Sequence, residues 1–557
     1  MSDKAPLLQE ADANQARASD PMASAWVSAN AGTGKTEVLV KRSLRLLLAG
    51  SRPESILCLT YTKTAAASMH NRLLKELADW ATIPSEDLRE RLEALVGHAA
   101  EEEKLRRARR LFAQALEARG GLKIYTIHGF CERLLQRFPL EARVTPHFKV
   151  LDDRGQAEMR RAAFDAAIAI AAANRDGVLG QALAKIIAVT SEDYFRKVVD
   201  AVLAKRVELA RMMAHHDGRR DWAEAEAQAL KHLLHVAGDT EQALLGELAG
   251  VLTDEEVEAA VAAFAAFGCT AKTDRETEVF LREARASDGE RRVAAFSEIF
   301  LTGPGAARDK MCNKAFADAN PEIVRILTRA QARFADLDLR FAHLRMAEVS
   351  GALLLLADAI QSDYERRKRA EAVLDYDDLI VRTQDLLVTA GAAAWVLYKI
   401  DGGIDHILVD EAQDTNPAQW SIIERLADEF FTGEGASAKL RTLFAVGDEK
   451  QSIYSFQGAE PIRFAEMGRT FRARAGAARR VWQDVPLTLS FRSTEPVLDA
   501  VDRVFADPTA AEGLTSLAGT VIKHHAFRQG EAGLVERWEA HKEAKSARAE
   551  AFEPWNE

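Results

Sequence analysis

The stretch from residue 24 to residue 50, SAWVSANAGTGKTEVLVKRSLRLLLAG, constrains this chain more than any other. A short apolar run, SAWVSA, gives way to a loop of small residues. Lys35-Thr36 then opens an amphipathic helical stretch that ends at Gly50. Gly32 and Gly34 can take backbone angles closed to other residues, so the loop can turn its N–H groups inward toward an anion. An anion there also meets the positive end of the helix that follows. Lys35 supplies a cation for β- and γ-phosphates, and Thr36 a hydroxyl for Mg²⁺. In the pattern G-x-x-x-x-G-K-[ST] the first place is held by Ala29, and Asn30, Ala31, Gly32 and Thr33 fill the variable places before Gly34. Strand, small-residue loop and helix in this order predict a parallel α/β sheet that binds ATP with Mg²⁺.

A chain of 557 residues allows several domains, at roughly 100–200 residues each. The formal net charge of −11 excludes a whole-protein basic footprint, so nucleic acid would have to bind along a local groove. Cys58, Cys131, Cys269 and Cys312 are scattered without CxxC spacing, which argues against zinc, an iron–sulfur cluster or a disulfide scaffold and suits a reducing cytosol. No apolar run reaches the ~18 residues of a membrane span, and the polar start has no signal-peptide core. The expected compartment is the cytoplasm.

Strand and helix signals alternate over residues 1–80, as in a parallel α/β sheet. Residues 81–120 read as a charged helical insertion, and 121–150, with the strand LKIYTIH, as a return to the sheet. From 151 to 370 the pattern is one of long Ala- and Leu-rich amphipathic helices, a large all-helical insertion. Strand signals return over 371–485 (HILVDEA, LRTLFAVGD), and 486–557, opening on VPLTLSF, reads as the start of a second α/β domain.

Three further stretches carry chemistry. In HILVDEAQDTNPAQW an apolar strand runs directly into paired carboxylates: Asp410 to bind Mg²⁺ and Glu411 as general base for the attacking water. In LFAVGDEKQSIYSFQGAEP another strand ends at Gly447-Asp448. Gln451 there offers an amide to a γ-phosphate, and Tyr454 and Phe456 offer rings on which bases can stack. VPLTLSFRST presents Phe491 and Arg492, and an arginine brought from outside the phosphate loop's domain can stabilise a γ-phosphate transition state. The expectation is that Lys35, Asp410 and Glu411 converge at the ends of adjacent parallel strands.

With these four stretches in this order, and with LTYTKTAAASMHNRL and TIHGFCERLLQRFP, the chain resembles superfamily 1 DNA helicases of the UvrD/Rep type. Within them it is similar to AddA-type subunits of the bacterial double-strand-break helicase–nuclease. The resemblance implies RecA-like P-loop domains and a 3′-to-5′ ATP-driven helicase serving repair by homologous recombination. The implied partners are single-stranded DNA, duplex ends and an AddB-type nuclease subunit. It also implies that Gln15 reads adenine while Phe491 stacks on it, that Gln451 links γ-phosphate to DNA, and that Arg492 is an arginine finger. Thr60, Tyr61, Thr62, Thr126 and His128 correspond to contacts on single-stranded DNA, together with Tyr454 and Phe456. Ser68 stands where a glutamate is common, and Phe456-Gln457 replaces a Trp-Arg pair. No later helicase motif follows Arg492, so the chain is expected to be the N-terminal portion of a larger subunit. The alternative is an ATP-gated DNA-binding or assembly subunit with an inactive motor.

Overall fold

The computed structural model describes residues 4–99, 101–118, 121–216, 221–389, 395–396, 399–400, 403–431, 440–515 and 522–540. The chain divides into two compact units, Met1–Val150 with Ala372–Glu557, and Leu151–Glu371.

The first unit is built on a six-stranded sheet. Its strands are β1 (Ser24–Ala29), β2 (Ile56–Thr60), β3 (Lys123–Thr126), β6 (His406–Val409), β7 (Thr442–Gly447) and β8 (Trp482–Leu487), in the order β3-β2-β6-β7-β1-β8. Every ladder is parallel, so all six carboxyl ends lie along one edge. β2, β6 and β7 are buried at every position, as expected of parallel strands covered on both faces. Side chains alternate between two apolar clusters with the strand period of two. Trp26, Leu57, Leu59, Ile407, Val409, Leu443 and Ala445 face one cluster. Ala25, Val27, Cys58, Leu408, Phe444 and Val446 face the other.

The second of these clusters is closed by α2 (Lys35–Leu48), α3 (Lys63–Thr82), α4 (Ser85–Val96) and α5 (Glu102–Glu117), through Val38, Met69, Leu88 and Leu105. The charged helical stretch 81–120 is therefore packed into the same core as the phosphate-loop helix. The first cluster is closed by α6 (Ile127–Arg137) and by the helices Tyr376–Val388, Pro417–Ala427 and Pro461–Ala477. The polar start, to which the sequence reading assigns no element, contains α1 (Lys4–Ala18).

Two strand readings change. LKIYTIH yields only the four residues of β3, because the Thr126 hydroxyl accepts from Gly129 N–H and starts α6 at Ile127. VPLTLSF is split: β8 joins the main sheet through β1, whereas β9 (Leu489–Thr494) pairs in parallel with β10 (His525–Arg528) in a separate two-stranded sheet. The change of sheet falls at Thr488, two residues after the expected boundary.

The second unit is helical. Among its described residues the only β-type pairing is an isolated bridge between Leu301 and Ala307. Its core includes Phe264, Phe296, Phe300, Phe316 and Phe334, with the Phe264 and Phe316 rings stacked at 3.9 Å. Its longest helix, Pro321–Ala370, has 50 residues and is apolar along one stripe rather than all round. The chain leaves and re-enters the first unit at one place: β4 (Lys149–Val150) pairs with β5 (Val373–Leu374). No described helix is long and apolar enough to cross a membrane.

Candidate active site

The carboxyl edge of the six-stranded sheet carries the site. β1 ends at Ala29, and the loop Asn30, Ala31, Gly32, Thr33, Gly34 leads into α2, whose first residues are Lys35 and Thr36. Gly32 and Gly34 have φ of 76° and 87°, in the left-handed region that favours glycine. The loop is pinned from both sides. Asn30 N–H donates to Leu487 O at 2.9 Å, Phe491 N–H donates to Gly32 O at 2.9 Å, and the Thr33 hydroxyl donates to Asn30 O at 2.8 Å. These bonds bring Phe491 and the exposed Arg492 alongside the loop. Gln15 reaches it from α1: Lys41 Nζ donates to Gln15 Oε1 at 3.0 Å, and Gln15 Nε2 lies 3.8 Å from where a Cβ on Gly34 would stand.

Asp410 and Glu411 follow directly on β6. Lys35 Nζ lies 2.5 Å from Glu411 Oε2, although their strands are not neighbours. β7 lies between β1 and β6, which corrects the expectation of adjacent strands. Two strand spacings of ~4.8 Å separate the backbones, and two long side chains reaching over the end of β7 close that gap. Glu411 has φ 48° and ψ 46°, uncommon for a residue with a side chain. Asp410 is 6% exposed, and its own carboxylate accepts from Glu411 N–H at 3.0 Å. Burial pushes it up to about 6, and the Glu411 charge adds to this while Lys35 opposes it. Asp414 is pushed up to about 6 as well, mainly by burial, with Glu411 contributing. A buried carboxylate beside a second one, whose nearby lysine is paired with the second, is a donor set that a hydrated Mg²⁺ would relieve. Asp410 and the partly buried Thr36 hydroxyl fit it.

Four residues with no assigned role in the sequence reading complete the edge. Gln413 Nε2 donates to Glu411 Oε2 at 2.9 Å and to Asp414 Oδ2 at 3.1 Å, while its Oε1 accepts from Asp448 N–H at 2.9 Å. Asp448 in turn accepts from Gln451 Nε2 at 2.5 Å and pairs with Lys450 Nζ at 2.7 Å. Gln413 and Asp414 stood inside the acidic motif and Asp448 and Lys450 beside Gln451, but their partners could not be read from spacing.

The expected nucleic-acid contacts fall into two groups. Tyr61 and Tyr454 have ring centroids 4.4 Å apart, and Phe456, 77% exposed, continues the row at 5.9 Å from Tyr454. Burial, with Asp414 nearby, pushes the Tyr61 hydroxyl up to about 12. Thr60 and Thr126 are register partners at the ends of β2 and β3. The hydroxyls of this group already serve the backbone: Thr60 donates to Thr62 O, Thr62 caps α3 and Thr126 caps α6. His128 meets Tyr376 edge-on at 5.6 Å and is held below the usual histidine range by burial.

A phosphate-type loop and an acidic strand end on one parallel sheet define a class, the P-loop NTPases. Residues 10–472 match the model of the UvrD/REP helicase N-terminal domain, and the chain belongs to that family. It is 27% identical over 529 residues to the A subunit of an ATP-dependent helicase/nuclease from Pelotomaculum thermopropionicum, in an alignment that covers 89% of this chain and 38% of that protein. The proteins of the same name from Desulforudis audaxviator and Staphylococcus aureus are 27% and 26% identical, and each alignment covers 86% of this chain and 38% of the relative. The chain thus spans well under half the length of these relatives.

Proposed function

We propose that this chain is the ATP-hydrolysing portion of a 3′-to-5′ DNA helicase subunit that works in the cytoplasm, with an AddB-type nuclease partner, in double-strand-break repair by homologous recombination. The observation that carries the reading is the 2.5 Å approach of Lys35 to Glu411 on the same sheet edge as the aromatic row Tyr61, Tyr454, Phe456. Family membership and the names of the relatives support the nucleic-acid half of it.

In this reading the N–H groups of residues 29–34 and the Lys35 ammonium hold the ATP phosphates, and Lys35 exchanges Glu411 for them. Asp410 and Thr36 hold Mg²⁺, which when bound neutralises phosphate charge. Glu411 takes a proton from water. Gln15 and Phe491 hold adenine, Arg492 faces the γ-phosphate, and Gln451 reports its presence to the loop of Tyr454. Bases of a single strand stack along Tyr61, Tyr454 and Phe456, with Thr60, Thr62, Thr126 and His128 on the strand's path. In domain terms, 1–80, 121–150 and 371–487 form the first RecA-like domain, 81–120 and 151–370 its insertions, and the chain from Thr488 onward the opening of a second.

The test is steady-state ATP hydrolysis with and without single-stranded DNA. Wild type is expected to be stimulated by DNA, and Glu411→Gln to lose about 10²–10⁴-fold in kcat while still binding ATP. A rate indifferent to both DNA and the substitution would instead identify a nucleotide-gated binding module.

A further inference from the structure

Gln413 is 1% exposed, and its amide is committed to two separate elements. Its Oε1 accepts from Asp448 N–H, a group that can only donate, so the amide cannot be turned over. The opposite edge must then present the NH₂ group, whose two hydrogens meet Glu411 Oε2 and Asp414 Oδ2. A glutamate of the same shape would place a third carboxylate against these two.

The bridge bears on Glu411 in particular. Lys35 and Gln413 both donate to Oε2, and among the described residues no hydrogen bond reaches Oε1. One carboxylate oxygen is anchored and the other is left open. The backbone of Glu411 is left-handed, a conformation that persists only where its surroundings hold it. On its far side the amide packs against Gly447, where a Cβ would come within 2.7 Å of Gln413 Oε1. Beyond Gly447, Asp448 takes Gln451 and Lys450, and the chain continues into Tyr454.

We infer that Gln413 is a positioning residue that aims Glu411 and makes its aim depend on the 448–456 segment, so that nucleic acid on that segment acts on ATP hydrolysis through this amide. The inference rests on the proposed role of Glu411 as base.

The experiment uses the full chain with Gln413→Ala, Gln413→Glu and Gly447→Ala. It measures kcat and KM for ATP with and without oligo(dT), oligo(dT) affinity by fluorescence anisotropy, and thermal melting. Expected are KM and oligo(dT) affinity within about twofold of wild type, a kcat about 10–100-fold lower, and a ratio of DNA-stimulated to basal rate that collapses toward one. Variants that melt earlier but keep both kcat and the stimulation ratio would show an amide that only packs, and would overturn the inference. If Gln413→Ala does not fold, Gly447→Ala decides the matter, because its methyl displaces the amide without removing it. If Glu411→Gln itself leaves kcat unchanged, the assignment of the base fails and takes this inference with it. If Glu411→Gln is inactive while the Gln413 and Gly447 variants match wild type, only the positioning role fails.

Discussion

His406 stands at the opposite end of β6 from Asp410. Its Nδ1 is 2.8 Å from the Thr442 hydroxyl and its Nε2 2.9 Å from the Ser51 hydroxyl. Thr442 also accepts from Arg42, a fully buried guanidinium that donates to the carbonyls of Ala18, Asp20 and Ala23. Burial first, and Arg42 second, push His406 down to about 3. Its folded pKa lies below its unfolded one, so as pH falls through the ordinary histidine range the unfolded chain binds the proton and the fold loses stability. The loss is about 1.4 kcal/mol per pH unit below ~6.5, until the folded group titrates. Asp410 and Asp414 act oppositely. Raised to about 6, they keep protons that the unfolded chain has released, so the stability they withhold at neutral pH returns as they protonate. Only a comparison with His406→Gln isolates the histidine. Between about pH 7.5 and pH 5.5, urea midpoints should show wild type losing about 1.4 kcal/mol more than the variant. Parallel pH dependences would mean that His406 is not held neutral. At this same scale, Lys35, Asp410 and Glu411 were legible because lysine and paired carboxylates at the ends of apolar runs have few other uses. Gln413 was not, because a glutamine's role is set by its partners.

Among elements, the phosphate-type loop is shaped as much by β8 and β9 as by its own glycines. A Cβ on Gly32 would stand 2.7 Å from both Arg492 Cβ and Ser490 Oγ, at a φ that already disfavours a side chain. Gly32→Ala must therefore part the loop from β9. Affinity for a fluorescent ATP analogue should fall by about tenfold or more, equivalent to about 1.4 kcal/mol, with less change in global melting. Unchanged affinity would show that the loop's seat on β9 does not matter to nucleotide. β2, β6 and β7 were readable because an apolar run closed by Thr, Asp or Gly signals a buried strand end locally, and β1 and α2 because an apolar run, a small-residue loop and an amphipathic run follow one another. VPLTLSF reads as one strand because its alternation is continuous; its division depends on β1 and β10 each claiming half of it. α1 was missed because it is helical in propensity but has no strong apolar stripe.

For the whole molecule, the helical unit 151–371 is inserted between β4 and β5, where Lys149 pairs with Val373 and Val150 with Leu374. The ends of the insertion are therefore only a strand spacing apart, and the unit has its own aromatic core. Replacing 151–371 by a short Gly/Ser linker should leave the first unit cooperatively folded and binding an ATP analogue within a few-fold of the full chain, checked by thermal melting and titration. Loss of cooperative unfolding would show that the sheet depends on the insertion. The sequence by itself determined what is local: where strands stop, where glycine is needed, and which ionisable side chains stand at strand ends. Backbone freedom, side-chain period and functional-group chemistry act over a few residues. Only the tertiary structure decided that β7 lies between β1 and β6, so that Lys35 reaches Glu411 across an intervening strand, and that one glutamine amide ties that carboxylate to the loop after β7. Those outcomes follow from strand order, which depends on how two faces of one sheet are covered by helices far apart in the chain.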